Sequence, residues 1–336
     1  MDEQGAGRGP GRRPGRRPGP WSWRGRGRVL AGAAALVACL LVFHGAVPDA
    51  LPGRPGSLLE TFLPWLGLAV PVLAALALLR RSSVAAPAAL LPAAAWLALF
   101  GGHLLPGDDR APDLLAVQHN VSDENPDPAG TARALAGTGA DLLALEELTP
   151  AAEPAYAAVL APQYPYHAVA GTVGLWSKHP LADVRPVDIR PAGLGEDWNR
   201  GLRATARTPR GEVAVYVAHL PSVRLSPTHG FGSVRRDESA ALLGAAIAAE
   251  PAQPLILLGD LNSTVDDRGL DPVTSRMDPP SRDFAFSWPA SLPLARIDQV
   301  MTRSATVTRI RSLSATGSDH LPVAAHITWR APGRGR

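Results

Sequence analysis

Asp260 and Asn262 stand two residues apart in Pro254-Leu-Ile-Leu-Leu-Gly-Asp-Leu-Asn-Ser-Thr264. A short apolar run bounded by Pro and Gly reads as a buried strand rather than a helix. Gly259 lets the chain turn sharply, and side chains two apart on extended backbone point the same way. The carboxylate can accept a proton or hold a metal. The amide can donate hydrogen bonds to a phosphoryl oxygen. An Asx turn at a strand end would look the same, so the reading depends on partners elsewhere. The chain supplies them. Asn120 closes an apolar run at 113–121. Glu146 and Glu147 fall in the run 141–148, where burial is costly unless they are paired or bind a cation. His219 closes 213–218, Asp298 interrupts the apolar run 295–301, and Asp319 and His320 stand between a turn and a final strand. Hydrolytic sites are built in this way, from polar side chains on loops held by a rigid sheet.

The elements that must position these residues begin at residue 111. Strands are expected at 113–121, 141–148, 171–181, 182–189, 254–258, around Asp298 and after His320. A hairpin over 202–208 and 212–220 turns at Pro209-Arg210-Gly211. Helices are expected at 131–140, 150–160 and 233–250. Strands with interspersed helices over about 220 residues predict a single α+β domain with layered sheets.

The ordered set QHN at Asn120, LEEL at Glu147, VAHL at His219, GDLN at 259–262, RID at 296–298 and SDHLP at 318–322 resembles the endonuclease/exonuclease/phosphatase superfamily. GDLN followed by SDH is the specific part. Where the family usually has Gln before the catalytic Glu, this chain has Glu146, which adds negative charge. Phe286-Ser-Trp-Pro289 followed by Leu292-Pro293 and RID is similar to a branch with membrane-anchored bacterial members. One of these is linked to teicoplanin resistance and proposed to act on undecaprenyl pyrophosphate. The resemblance implies a four-layer α/β/β/α sandwich, deoxyribonuclease-like, and attack by water without a covalent intermediate.

A phosphate ester or anhydride resists attack because its oxygens are negative, and a divalent cation neutralises them. Mg²⁺ prefers oxygen ligands and needs only one or two carboxylates; Mn²⁺ would also serve. Glu147 is the first expected ligand, with Asn120 and Asp319 in or next to the shell. No Cys/His cluster suits zinc. Either Asp260 or His320 can deprotonate the attacking water. Asp298 would fix the tautomer of His320 and raise its basicity. Asn262 and His219 would hydrogen-bond non-bridging oxygens, His219 as a neutral ring or a cation. Arg203 reads as a solvated strand charge or as an extra phosphate contact. Ser263 and Thr264 lack an adjacent base.

Ahead of this domain the composition differs. Residues 1–28 hold eight arginines against Asp2 and Glu3, among Gly and Pro, and read as a disordered basic cytoplasmic arm. The chain is +3 overall, so the rest nets −3 by the same count. Apolar segments at 29–47, 58–79 and 84–105 carry no Asp, Glu, Lys or Arg beyond Glu60, with His44 and His103 their histidines. Each is about 20 residues, enough to cross a hydrocarbon core of ~30 Å. Three transmembrane helices within 29–110 are therefore expected, over a soluble helical hairpin or a cleaved signal peptide. The basic arm and Arg80-Arg81 belong in the cytoplasm by the positive-inside rule. That places a catalytic domain at 111–330, and a short tail at 331–336, outside a cell membrane. The only cysteine, Cys39, lies in the first apolar segment, so no disulfide forms within the chain.

Composition narrows the substrate. Duplex binding needs clustered Lys and Arg, which the body lacks. The expectation is a metal-dependent phosphoesterase acting on a lipid-linked or other phosphorylated substrate at the bilayer. An exported Mg²⁺-dependent nuclease is the alternative, and a non-catalytic membrane binding protein a second one. No protein partner is legible.

Overall fold

The computed structural model of the chain describes residues 21–105, 111–226, 228, 230–279 and 281–329. Most of the expected basic arm (1–20) and the tail (331–336) lie outside the described residues. A helical part comes first: α1 (Trp21–Val42), α2 (Pro55–Thr61), α3 (Ala69–Leu79), α4 (Ala85–Ala88) and α5 (Leu90–Phe100). Trp21 to Arg28, read as part of the arm, belong to α1. The αβ part follows in the order β1 (Leu114–Asn120), α6 (Pro128–Ala136), β2 (Leu142–Glu146), α7 (Glu153–Leu160), β3 (Tyr166–Ala170), β4 (Val173–Ser177), β5 (Leu181–Pro186), β6 (Gly201–Thr208) and β7 (Gly211–Ala218). Then come β8 (Leu225–Ser226), β9 (Gly230–Phe231), α8 (Val234–Ala249), β10 (Leu255–Asp260), α9 (Asp271–Thr274), β11 (Asp298–Arg303), β12 (Ala305–Ser312) and β13 (Val323–Trp329).

Two sheets carry the αβ part, ordered β12-β13-β1-β2-β4-β3 and β11-β10-β7-β6-β5. Their inner faces meet in one core that includes Ala116, Leu142, Leu175, Val215, Ile256 and Val323. The outer face of the first sheet packs on α6 and α7 through Leu135, Tyr156 and Leu160. That of the second packs on α8 and α9 through Leu243, Ile247 and Val273. Alternate residues of each central strand thus enter different cores, which is why these strands read as unbroken apolar runs. Each buried Val, Leu or Ile among them stabilises by about 2 kcal/mol, before entropy is counted. The expected mixed α+β sandwich is present.

Two edge strands depart from expectation. β3 was not anticipated: Gly171, at φ +58°, turns the chain from β3 into β4, and the half-exposed Tyr-His-Ala-Val-Ala sequence lacks a strand's apolar signal. β12 carries Arg309 and Arg311 on an edge, where charge is tolerated.

The three-span expectation is not met. Among the described residues one helix, Ala85–Leu104, is long and apolar enough to cross a membrane. The second segment is not one rod, because Pro55–Thr61 and Leu63–Leu79 meet at 72°. Pro64, which lacks an N–H, follows the break. The apolar helix Gly27–Val42 is shorter than a span. Glu60 explains the bend. It is 1% exposed, and its carboxylate takes Arg268 Nε at 2.9 Å and Nη2 at 2.7 Å. Beside it Ser57 Oγ donates to Asp267 Oδ2 at 2.6 Å, which also pairs with the buried Arg236 at 2.8 Å. Trp65 Nε1 donates to Leu294 O at 2.6 Å. A charged, hydrogen-bonded face commits α2 to the αβ part.

Candidate active site

The two sheets place their parallel central pairs, β1–β2 and β7–β10, face to face in the sandwich. Asn120 ends β1, Glu147 follows β2, His219 follows β7 and Asp260 ends β10. Asp298 opens β11 directly opposite Asp260 in the antiparallel register. His320 lies just before β13, which pairs antiparallel with β1. Every residue singled out for catalysis therefore arrives at one end of the sandwich.

Gly259 has a different task from the turn expected of it. It sits within β10 at φ +150°, and a Cβ there would lie 1.9 Å from Ala218 O. Glycine lets β7 approach the strand that carries Asp260. The turning is done by Asn262, at φ +47°, and likewise by Glu147, at φ +56°. Asn tolerates the left-handed region and Glu does so rarely; the strained Glu147 swings its carboxylate out of the ladder, leaving it 26% exposed.

Asp298 is fully satisfied. Oδ1 accepts from Gln118 Nε2 at 2.7 Å. Oδ2 accepts from Ser287 Oγ at 2.5 Å and meets His320 Nδ1 at 2.8 Å. Burial raises its carboxyl, but His320, Ser287 and Gln118 outweigh that and hold it below the usual carboxylate range. Burial pulls His320 down, yet Asp298 and Asp260 hold its imidazolium at about 10. Ser318 tightens the same loop: its Oγ donates to Asn120 O at 2.7 Å and accepts from His320 N at 3.0 Å.

Asp260 is the hub. Oδ1 accepts from Asn262 N at 2.9 Å, and Oδ2 from Asn120 Nδ2 at 3.1 Å and Asn262 Nδ2 at 3.2 Å. His219 Nε2 and His320 Nε2 face Oδ2 from 3.6 and 3.8 Å. Burial pushes the Asp260 carboxyl up, to about 7, against the pull of His320. His219 differs from the cation considered for it. Burial, then the Arg200 guanidinium, hold it well below its usual range. Arg200 Nη1 lies 3.1 Å from His219 Nδ1 and 3.4 Å from Nε2; donation to the nearer Nδ1 puts the ring proton on Nε2, which faces Asp260 and Glu147.

Among the described residues, the His/Cys/Asp/Glu group close enough to share an ion is Asp260, Asp298 and His320. Asp298 has its oxygens engaged and the flanking carboxylates favour the imidazolium form of His320, an arrangement suited to passing a proton more than to caging an ion. The expected ligands offer oxygen donors of the kind a hard cation takes. Glu147 Oε2 accepts a long bond from Asp123 N at 3.3 Å, and Oε1 stands 3.8 Å from His219 Nε2. Asn120 Oδ1 accepts from Ser122 N at 3.0 Å and keeps a lone pair. Asp319 is exposed beside His320. Oxygen donors without thiolate fit Mg²⁺ or Mn²⁺.

Glu146, in the family's Gln position, is 0% exposed, and neither carboxyl oxygen has a hydrogen-bond partner. Burial, then Asp298 and Asp260, raise it well above the usual range, so it is held as the neutral acid. Arg203 is neither solvated nor at the site; it is buried against Glu250, Nε to Oε2 at 2.9 Å. Sequence reasoning missed Gln118, Ser287, Ser318 and Arg200. The first three lie inside the motifs QHN, FSWP and SDHLP. Arg200 had only its place before a strand as a signal.

The profile of the Endonuclease/Exonuclease/phosphatase family matches residues 117–320, more than half of the chain. No curated protein matches it. Among solved structures, beta toxin of Staphylococcus aureus superposes with a TM-score of 0.50 at 16% identity, over 63% of this chain and 99% of that one. A humanized TDP2 of D. rerio gives 0.50 at 17%, over 64% and 98%. A functionally unknown conserved protein of Enterococcus faecalis V583 gives 0.52 at 14%, over 65% and 100%. At these identities the likeness is one of fold. The chain belongs to the endonuclease/exonuclease/phosphatase family.

Proposed function

We propose that the protein is a membrane-associated, metal-dependent phosphoesterase that hydrolyses a lipid-linked phosphate or pyrophosphate, such as undecaprenyl pyrophosphate, at the outer face of the cell membrane. The observation that carries this reading is the helical part locked beside the catalytic residues by Glu60–Arg268 and Ser57–Asp267. A mere tether has no need of buried ion pairs with the catalytic domain. Crossing by more than the one sufficient helix, and the cytoplasmic placement of Arg80-Arg81, belong to the same proposal.

A divalent cation held by Glu147 with Asn120 and Asp319 would neutralise phosphoryl oxygens. The chain's own groups supply the rest. Asp260 Oδ2 takes the proton of the attacking water, since a carboxyl near 7 is matched to that task. His320, cationic and oriented by Asp298, faces the same place with Nε2 and stabilises a phosphoryl oxygen. His219 Nε2–H donates to a remaining oxygen, whereas Asn262 Nδ2, expected to do the same, spends its two hydrogens on Leu220 O and Asp260 Oδ2 and so positions the base.

The test is phosphate release from undecaprenyl pyrophosphate by detergent-purified full-length protein with Mg²⁺, run beside nicking of supercoiled DNA. Asp260→Ala and His320→Ala are the blanks. Release abolished by both substitutions, without nicking, is expected. Nicking without release would replace the lipid phosphatase by a nuclease.

A further inference from the structure

An apolar cleft of 170 Å³ opens next to Asn262. Its walls are Leu58 and Phe62 at the end of α2, Val223, Leu225 and Phe231 of the strap between β7 and α8, and Trp288. Asn262 lines the cleft and also holds Asp260, so cleft and catalytic centre share a wall. Leu225 is 71% exposed and Trp288 37%, apolar surface that water covers at a cost.

The strap is fixed in place by the helical part. Phe231 N donates to Gly53 O at 3.0 Å. Gly230 has φ +68°, and a Cβ on it would lie 2.1 Å from Gly53 Cα. Along the strap, alternate residues face opposite ways. Val223 and Leu225 line the apolar cleft; Ser222 and Arg224 line a second cavity with Arg200 and Arg235. The strap thus divides an apolar face from one lined by guanidinium groups, and Asn262 and Arg200 tie the two cavities to Asp260 and His219. That polarity suits an amphiphile with an anionic head.

We propose that this cleft takes the first carbons of the hydrocarbon chain of a phosphorylated lipid whose phosphoryl group lies against Asp260 and His320. This rests on the lipid-phosphatase reading above and makes α2 and the strap part of the substrate site. An apolar cavity of about 150 Å³ holds a benzene-sized group, so the cleft receives about six carbons. The rest of the chain leaves along α2, whose continuation is the apolar α3. A nucleotide would set a polar sugar against the same wall and leave it unmatched.

Photolabelling tests the cleft without relying on turnover. Full-length protein in detergent is irradiated with dodecyl phosphate carrying a diazirine near its head, and adducts are mapped by mass spectrometry. Adducts on Leu58, Phe62, Leu225 or Trp288 are expected. Excess untagged dodecyl phosphate and the exposed substitution Leu225→Glu each lower them about tenfold, the usual worth of a mismatched apolar contact. Adducts confined to α3 and α5, or indifferent to competitor, would overturn the proposal. Cleft labelling without hydrolysis of any lipid phosphate would remove the lipid-phosphatase reading and leave the cleft. Hydrolysis with labelling elsewhere would remove the cleft alone.

Discussion

His320 Nδ1 meets Asp298 Oδ2 at 2.8 Å inside the protein, and the ring's other nitrogen faces Asp260 Oδ2 from 3.8 Å. Two carboxylates therefore bracket one imidazole, one satisfied by neighbours and one turned toward the reaction. Their proton affinities are driven apart: Asp298 falls below its ordinary range while Asp260 rises to about 7 and His320 to about 10.

A bell-shaped rate profile follows. Asp260 must be ionised to accept a proton, so kcat/KM rises as pH passes about 7. His320 must be cationic to bind phosphoryl oxygen, so activity falls above about 10. The raised value of His320 also contributes stability, fully present below its ordinary 6.5 and lost as pH climbs through about 10. Steady-state kinetics from pH 5 to 11 check the limbs. A profile flat across about 7 contradicts Asp260 as base.

Asp298→Asn removes the charge that raises His320. The alkaline limb moves to lower pH, and kcat falls by about 10²-fold, as for loss of a positioned acid–base partner. Circular dichroism stays unchanged. A fall in kcat with the limb unmoved would mean that Asp298 only shapes the fold.

Arg200→Ala frees His219 Nδ1 and lets the ring take the wrong tautomer. A loss of about tenfold in kcat/KM is expected, with melting unchanged because Arg200 is only half-buried. Arg200→Lys recovers little, since a lysine lacks the planar fork. Full activity in the alanine variant would show that His219 needs no such partner.

The convergence of most of these residues was legible in the sequence. Asn120, His219, Asp260, Asn262, Asp298 and His320 share one strand-end pattern, and strand topology brings such ends together. What escaped notice is instructive. Gln118 and Ser287 hold Asp298 from neighbouring elements, and a neutral polar side chain inside an apolar run carries no label of its partner. Which of two adjacent glutamates turns outward depended on one backbone angle at Glu147. Arg203 read as solvated because nothing near it in sequence announces Glu250, 47 residues away. The second apolar segment looked like a span because hydropathy registers one charge in twenty residues as minor. Glu60, however, has a specific partner in Arg268.

Arg268→Ala leaves Glu60 buried without its guanidinium. Breaking a buried pair from one side costs about 3 kcal/mol or more, read as a lower denaturation midpoint of the full chain in detergent. Combining Arg268→Ala with Glu60→Gln recovers a large part of that loss. No recovery in the double variant would show that Glu60 carries no uncompensated charge.

Chelation by EDTA is expected to abolish turnover, and Mg²⁺ or Mn²⁺ to restore it. Glu147→Gln raises the Mg²⁺ concentration for half-maximal rate by about tenfold or more, because a neutral amide replaces the charged ligand. Titration calorimetry gives the same comparison without substrate. Unaltered Mg²⁺ dependence in that variant would move the ligand role elsewhere.

Glu60 and Arg268 are 208 positions apart in the chain. Synthesis delivers the carboxylate long before the guanidinium, so until β10 and the loop after it exist α2 has only His44, 3.1 Å away, to pair with Glu60. Folding of the catalytic domain and settling of the leading helices are thus one event. A secreted fragment starting at residue 111 would complete its two sheets, yet face water with Arg268 and the strap where the full protein has a floor. Docking of the leading helices and completion of the αβ part are coupled by such long loop closures.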